Sequence, residues 1–243
     1  MLALIAATSF ETKLLRTRLQ KSDPLPGRFP LFHGQLAGQE ILLAHSGVGK
    51  ANAAACTAIL LSHRQPRALL NLGCAGAYPN CGLRIGDLAL ADGDILADEG
   101  SDSPAGFLGM EELGLPLLRR PEGDLFNRMP TDPELFRNAE SLLRKWASDQ
   151  DIGFATGPFA SVSTCTGTDL QGRQRQQAGG VLCENMEGAA IALTAARFGC
   201  PLLELRGISN LAARRDPDQW DIPAACRNAE RALLHLLRNW PRS

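Results

Sequence analysis

The chain has 243 residues, 44% of them hydrophobic, and its 25 basic and 26 acidic side chains leave a formal net charge of -1. That length and apolar content suit one good-sized core, so a single domain over residues 1–243 is expected. The charge balance carries no footprint for nucleic acid or an anionic membrane surface, and no apolar run approaches the ~20 residues that span a bilayer.

The opening stretch, MLALIAATSF, is apolar but lacks a basic leader and runs straight into a charged segment. It reads as a first strand over residues 2–7 and not as a signal peptide. Ser9 then caps an expected helix through Glu11, Leu14, Leu15 and Leu19, with Glu11 in its first turn. In open α/β sheets this end of a strand is where ligands bind, although an isolated glutamate there is also an ordinary helix-start charge. A Pro/Gly-rich loop (21–30) leads to two strands, 31–37 and 40–45, joined at Gly38. The second enters Ser46-Gly47-Val48-Gly49-Lys50 and an Ala-rich helix ending at His63. That turn resembles two phosphate loops and matches neither. Asn52 stands where the dinucleotide fingerprint needs its third glycine, and Ala51 where a Walker loop needs Ser or Thr.

Residues 67–72 form an apolar strand that runs into Gly73-Cys74-Ala75-Gly76-Ala77. Residues this small suit either a tight turn or a surface on which a ligand lies against the main chain. Another strand follows over 86–93. Residues 95–130, rich in Gly, Pro, Asp and Glu, exceed the ~12–15-residue ceiling usual for a structureless loop, so an irregular insertion or lid, a partner contact, or short hidden elements are expected. Next come an amphipathic helix (133–148), a strand (152–162) and a polar turn, Ser163 to Thr168. The segment CENMEGAAIALTAARFG (183–199) puts Glu184 and Glu187 three residues apart at an expected helix start, ahead of a small, apolar helix of the buried type. The two acids are either solvated capping charges or ligand contacts. A buried strand (201–208) ending in Ser209-Asn210 and a helix over about 223–240 complete the chain. Strands and helices alternate with no repeat and no interdomain linker, giving an α/β class with one mixed, largely parallel sheet. The seven cysteines include no C-x-x-C pair and fit reduced thiols in the cytoplasm. The four histidines lack ligand spacing, so neither a metal nor another cofactor is expected.

Glu11, SGVGKANAA (46–54), NLGCAGAY (71–78), STCTGT (163–168), ENMEGAA (184–190), RGISN (206–210) and RDPDQW (215–220) together span nearly the whole chain. In this order they resemble the nucleoside phosphorylase and nucleosidase superfamily. Within it the chain is similar to the hydrolases related to methylthioadenosine/S-adenosylhomocysteine nucleosidase, and most of all to the futalosine hydrolase group. The resemblance implies a three-layer α/β/α fold with a central mixed sheet, and a homo-oligomer, dimer or larger. The implied activity is N-ribosyl hydrolysis of a purine nucleoside, with futalosine giving hypoxanthine and dehypoxanthine futalosine in menaquinone biosynthesis. It also implies site roles. Glu11 takes a proton from water, with Arg206 helping to orient the group. Glu187 accepts the ribose 2′- and 3′-hydroxyls, and Met186 packs its sulfur on the sugar. Asn210 holds the base edge, Cys165 and Thr166 border the base, and Ala75 and Gly76 lie against the ligand. Glu184 is expected to support these groups from behind. Cys74 stands where the related nucleosidases place a serine, and no role is given to its side chain.

The chemistry agrees on independent grounds. Breaking an N-glycosidic bond builds positive charge on the ribose and negative charge on the base, so the sugar must be fixed, a water activated and the leaving base stabilised. A phosphate nucleophile would need arginines near the first strand, and Arg16 and Arg18 lie beyond the first turn. A carboxylate at Glu11 repels phosphate and suits water. Asn210 can donate from its NH₂ to a 6-oxo group and accept from N7–H, which fits hypoxanthine; the adenine-releasing relatives place Asp at this point of the pattern. Two alternatives stand beside this reading: a methylthioadenosine-type nucleosidase, and a catalytically silent nucleoside-binding protein on the same fold.

Overall fold

The computed structural model describes residues 1–240. Leu2–Ala6 (β1) is buried at every position, as a strand covered on both faces must be. After it come α1 (Lys13–Arg16), β2 (Gln20–Lys21), β3 (Leu31–Leu36), β4 (Gln39–His45), α2 (Lys50–His63), β5 (Leu69–Ala77), β6 (Leu88–Leu96), β7 (Gly100–Ser103) and β8 (Gly106–Gly109). The chain continues through β9 (Arg128–Pro130), α3 (Pro133–Asp149), β10 (Phe154–Ser161), α4 (Asp169–Gly179), β11 (Cys183–Asn185), α5 (Gly188–Arg197), β12 (Leu202–Leu211) and α6 (Ile222–Arg238).

The main sheet runs β10-β6-β12-β5-β1-β4-β3-β2, with β9 paired to β6. β4, β1, β5 and β12 are mutually parallel neighbours, whereas β12–β6, β3–β4, β2–β3 and β6–β9 are antiparallel. β6 and β10 are parallel too, so the sheet is mixed and largely parallel, as expected, with antiparallel pairs interrupting it. One cause is local: Ala37 and Gly38 both adopt positive φ (52° and 83°), the geometry of a two-residue hairpin that forces β3 and β4 antiparallel. β11 lies parallel to β10 and antiparallel to β5, so β5, β12, β6, β10 and β11 close a ring of strand pairings.

Two apolar layers flank the sheet. Leu15, Leu143, Leu233 and Leu237 of α1, α3 and α6 pack on Leu4, Leu72 and Leu90. Ala53 and Leu60 of α2 and Ile191 and Ala195 of α5 pack with Ile5 and Leu69 on the opposite face. The result is the three-layer α/β/α arrangement.

Three local expectations are corrected. The first helix shrinks to four residues, with no side-chain cap and Ser9 in a preceding turn. The carboxylate of Glu11 turns back to accept the Thr8 N–H at 2.8 Å, and that of Glu230 accepts the Leu15 N–H at 2.9 Å, a donor that a longer helix would use. Gly73–Ala77 is neither a turn nor a loop but the end of β5. Asp169–Gly179 forms an unforeseen helix, capped by the Thr168 hydroxyl accepting from the Gln171 N–H and closed by Gly180 in the left-handed region. Residues 95–130 contain short elements: the β7–β8 hairpin, β9, and a bridge between Leu118 and Leu125.

Candidate active site

A cavity of about 420 Å³ opens at one end of the sheet. Its lining brings together Glu11, Ala75, Gly76, Cys165, Thr166, Met186, Glu187 and Asn210, which lie far apart in sequence. Glu184, Cys74, Val48 and Ser209 complete much of the wall, and Phe10, Arg215, Trp220 and Ile222 also border it. Arg206 is not in the wall. It lies behind the cavity, 1% exposed, and Gly73 separates nothing bulkier than hydrogen from it: a Cβ there would stand 2.4 Å from both Arg206 Nη1 and Glu11 Oε1. Gly73 is therefore small because a guanidinium and a carboxylate meet over it. Gly76 follows the same logic, since a Cβ would come within 2.9 Å of Asn210 Nδ2.

Glu11 is fixed on both oxygens. Oε2 accepts from the Thr8 N–H (2.8 Å) and hydroxyl (3.2 Å), and Oε1 accepts from the Cys74 N–H (3.2 Å). Burial raises its proton affinity above the ordinary carboxyl range; Arg206 and the Thr8 N–H oppose this, and the Glu187 charge adds to it. A carboxylate with raised proton affinity, held in a cavity, has the properties of a general base.

Glu187 stands at the N-cap position of α5 but makes no side-chain cap bond. That work falls to neighbours. Asn185 Oδ1 accepts from the N–H groups of Glu187 (2.8 Å) and Gly188 (2.6 Å), and Ser161 Oγ accepts from the Ala189 N–H (2.8 Å). Relieved of capping, the Glu187 carboxylate faces the cavity, with Oε1 accepting from the Gly49 N–H at 2.9 Å. The 46–50 loop thus holds a side chain, and its Lys50 is committed to Asp98 and Glu99.

Glu184 lies in β11 and not in the helix that follows it. Its Oε1 accepts from the Thr166 N–H (2.7 Å), and its Oε2 from the hydroxyls of Tyr78 (2.9 Å) and Thr166 (2.6 Å) and from Arg175 (3.3 Å). Four donors pin it, so it fixes the Thr166 turn. On the other side, Ser209 Oγ donates to Asn210 Oδ1 (2.8 Å), and Asn210 Nδ2 donates to the Leu211 carbonyl (3.1 Å). The Asn210 amide is therefore oriented within the cavity wall.

The aromatic residues at the cavity were not picked out as site residues from sequence. Trp220 and Phe10 line it, and the Arg215 guanidinium stacks over the Trp220 ring at 4.6 Å. RDPDQW (215–220) is the available signal, but nothing in that string says that the tryptophan reaches the cavity. Among the described residues no cluster of three or more His, Cys, Asp or Glu could hold a metal ion. No helix among them is long and apolar enough to cross a membrane.

An α/β/α fold whose strand ends gather a buried base-like glutamate, a helix-start carboxylate that does no capping and an oriented amide around one cavity defines a small-molecule enzyme of the nucleoside-processing type. The family model of the phosphorylase superfamily matches residues 1–239, and the chain belongs to that superfamily. It is 34% identical over 239 residues to the futalosine hydrolase of Acidothermus cellulolyticus, covering 98% of this chain and 90% of that protein. It is also 32% identical over 202 residues to the futalosine hydrolase of Thermus thermophilus, covering 83% of each. Among solved structures, the S-adenosylhomocysteine nucleosidase from Streptococcus pyogenes in complex with 5-methylthiotubericidin superposes with a TM-score of 0.82 at 28% identity, covering 99% of this chain and 97% of that one.

Proposed function

We propose that this protein is a purine nucleosidase that hydrolyses the N-glycosidic bond of futalosine, releasing hypoxanthine and dehypoxanthine futalosine as a step of menaquinone biosynthesis. The observation that carries the reading is the convergence of Glu11, Glu187 and Asn210 on one cavity, joined to the similarity with two futalosine hydrolases. In this reading Glu187 accepts the 2′- and 3′-hydroxyls of the ribose, and Met186 packs on the sugar. Glu11 removes the proton of the attacking water, and Arg206 stabilises the Glu11 carboxylate from behind. As charge builds on the departing base, the Asn210 amide donates to O6 and accepts from N7–H. Ala75 and Gly76 give the ligand a flat strand to lie on, while Thr166 and Cys165 border the base. Water is favoured over phosphate because Glu11 and Glu187 present carboxylates to the cavity, while the one guanidinium at its border, Arg215, is stacked on Trp220. The same reading makes the protein a cytoplasmic, single-domain homo-oligomer that needs no cofactor.

The test is base release from futalosine in phosphate-free buffer and again with phosphate added. Equal hypoxanthine release and a free sugar product support hydrolysis. Release that depends on phosphate, with a sugar phosphate product, overturns it.

A further inference from the structure

Behind the cavity lies a cluster that the proposed chemistry does not use. Asp94 on β6 and Glu204 on β12 are 1% and 0% exposed. Both point at Gly188, the first residue of α5, where a Cβ would stand 2.1 Å from Asp94 Oδ2 and 2.4 Å from Glu204 Oε1. The two carboxyl groups therefore converge on one point. Asp94 Oδ2 accepts from Asn185 Nδ2 (2.7 Å), and Glu204 Oε1 accepts from Arg206 Nε (2.9 Å). Their remaining oxygens, Asp94 Oδ1 and Glu204 Oε2, are buried without a donor. Two full negative charges in this place would repel each other and leave two acceptors unsatisfied, each costly in a dry interior. One guanidinium, Arg206, already serves Glu204, Glu187 and Glu11.

We propose that Asp94 and Glu204 hold a single proton between them, forming a buried acid–carboxylate pair that positions Arg206 and Asn185, and through Asn185 the cavity-facing Glu187. The proton supplies the missing donor and removes the repulsion. Asn185 then has an acceptor for its NH₂, which fixes the direction of its Oδ1 toward the N–H groups of Glu187 and Gly188. The charged groups facing the pair are Arg206 on its own strand, Glu187 at the start of α5 and the Cys183 thiol on β11, with Glu11 beyond Arg206. Burial and mutual repulsion both push the pair's proton affinity up, Asp94 well above the ordinary carboxyl range.

The sign of the pH effect follows. A carboxyl whose folded-state proton affinity is raised contributes stability that is complete below the ordinary carboxyl pKa and is lost as pH rises toward its folded value. Asp94→Asn and Glu204→Gln each replace the shared O–H by an N–H, so each removes this term while keeping the hydrogen bond. The infrared spectrum of the parent near pH 8, above the value of about 6 to which burial raises Glu230, is expected to contain the carbonyl stretch of a neutral carboxylic acid. Each amide variant is expected to lose it. The melting temperature of the parent is expected to fall more steeply than that of Asp94→Asn between about pH 5 and about pH 8. An absent band in the parent, a band that persists in Asp94→Asn, or parallel melting slopes would overturn the shared proton.

The positioning half rests on the proposed role of Glu187 and has its own readout. Asp94→Leu removes the acceptor of Asn185, and misplacing Glu187 is expected to lower nucleoside kcat/KM on the order of 10²-fold. The inhibition constant of free hypoxanthine, held by Asn210, is expected to stay at the parent value, and the two amide variants are expected to restore most of the activity that Asp94→Leu loses. Equal weakening of nucleoside and free base would reduce the pair to general scaffolding and overturn the positioning role. If Asp94→Leu does not fold, the infrared and melting measurements on the amide variants decide the shared proton, and Asn185→Leu, read by the same nucleoside-to-base comparison, decides the positioning. A parent inactive on every purine nucleoside, with the acid band present, would count against the proposed function and not against the proton.

Discussion

Replacing Glu11 by Gln changes almost no volume, yet it alters two things that can be measured separately. The parent carboxylate takes three donors: the Thr8 N–H and hydroxyl on one oxygen, the Cys74 N–H on the other. A glutamine has one oxygen, and the two Thr8 donors claim it. Its NH₂ then faces the Cys74 N–H, donor against donor. A buried donor left unpaired costs about 1–3 kcal/mol, and Cys74 is only half-buried, so the loss belongs near ~1 kcal/mol. For a chain of this size that lowers the melting temperature by about 2–4 °C. The catalytic loss is far larger. Removing a general base costs ~10²–10⁴-fold in turnover, about 3–5 kcal/mol of barrier. The expected result is therefore a folded enzyme, slightly less stable, with near-parent KM and turnover reduced by that factor. The pH profile adds a second check. Because burial raises Glu11 above the ordinary carboxyl range, parent activity should fall on the acid side at a pH above that range, and the variant's residual activity should lack this limb. Steady-state base release across pH, with a melting curve for each protein, makes the measurement. Turnover within a few-fold of the parent, or an unchanged acid limb, would refute Glu11 as the base.

Other substitutions test the remaining contacts. Glu187→Ala should lower both kcat and affinity, since hydrogen bonds to a charged acceptor contribute ~1.5–3 kcal/mol; a 2′-deoxy substrate should lose less in the variant than in the parent, and equal losses in kinetic assays would detach Glu187 from that hydroxyl. Gly73→Ala puts a methyl 2.4 Å from Arg206 Nη1 and Glu11 Oε1, so it should cost about 1–3 kcal/mol in denaturant unfolding and sharply reduce turnover; parent-like behaviour in both would mean the two charged groups do not need to meet there. Asn210→Asp should lose futalosine cleavage and shift the kcat/KM ratio toward 6-aminopurine nucleosides, where mismatched buried polar pairs discriminate by up to ~10⁴-fold; an unchanged ratio would separate Asn210 from the base.

Much of the site was legible in the sequence because its residues fall at strand ends, where an α/β sheet gathers ligand contacts. Glu11, Glu187, Asn210, Met186 and the Ala75–Gly76 pair all reach the cavity. What was not legible depended on partners distant in sequence. A short apolar run followed by GCAGA reads equally as a turn, and only its pairing with β12 and β11 makes it a strand. Glu184 and Glu187 look like a matched pair at a helix start, but Glu184 is drawn into β11 by its pairing with β5 and pinned by Tyr78 and Thr166. Helix α4 carries mostly polar residues and a central Gly172, so it lacks the apolar stripe that periodicity detects. Gly172 itself is required, because a Cβ there would lie 2.2 Å from the Ala212 carbonyl oxygen. Arg206 lies beside Glu11 but behind the wall rather than in it, a position that the alternation of a buried strand does not disclose.

The central claim is that the cavity hydrolyses a 6-oxopurine nucleoside with water. Its most direct test is the kcat/KM of the purified protein for futalosine, its 6-aminopurine counterpart carrying the same 5′ group, methylthioadenosine and inosine, all in phosphate-free buffer. The account predicts hypoxanthine release from futalosine as the fastest reaction, with the 6-aminopurine counterpart clearly slower. A preference for the adenine substrates, or binding of all four without release of any base, would contradict it.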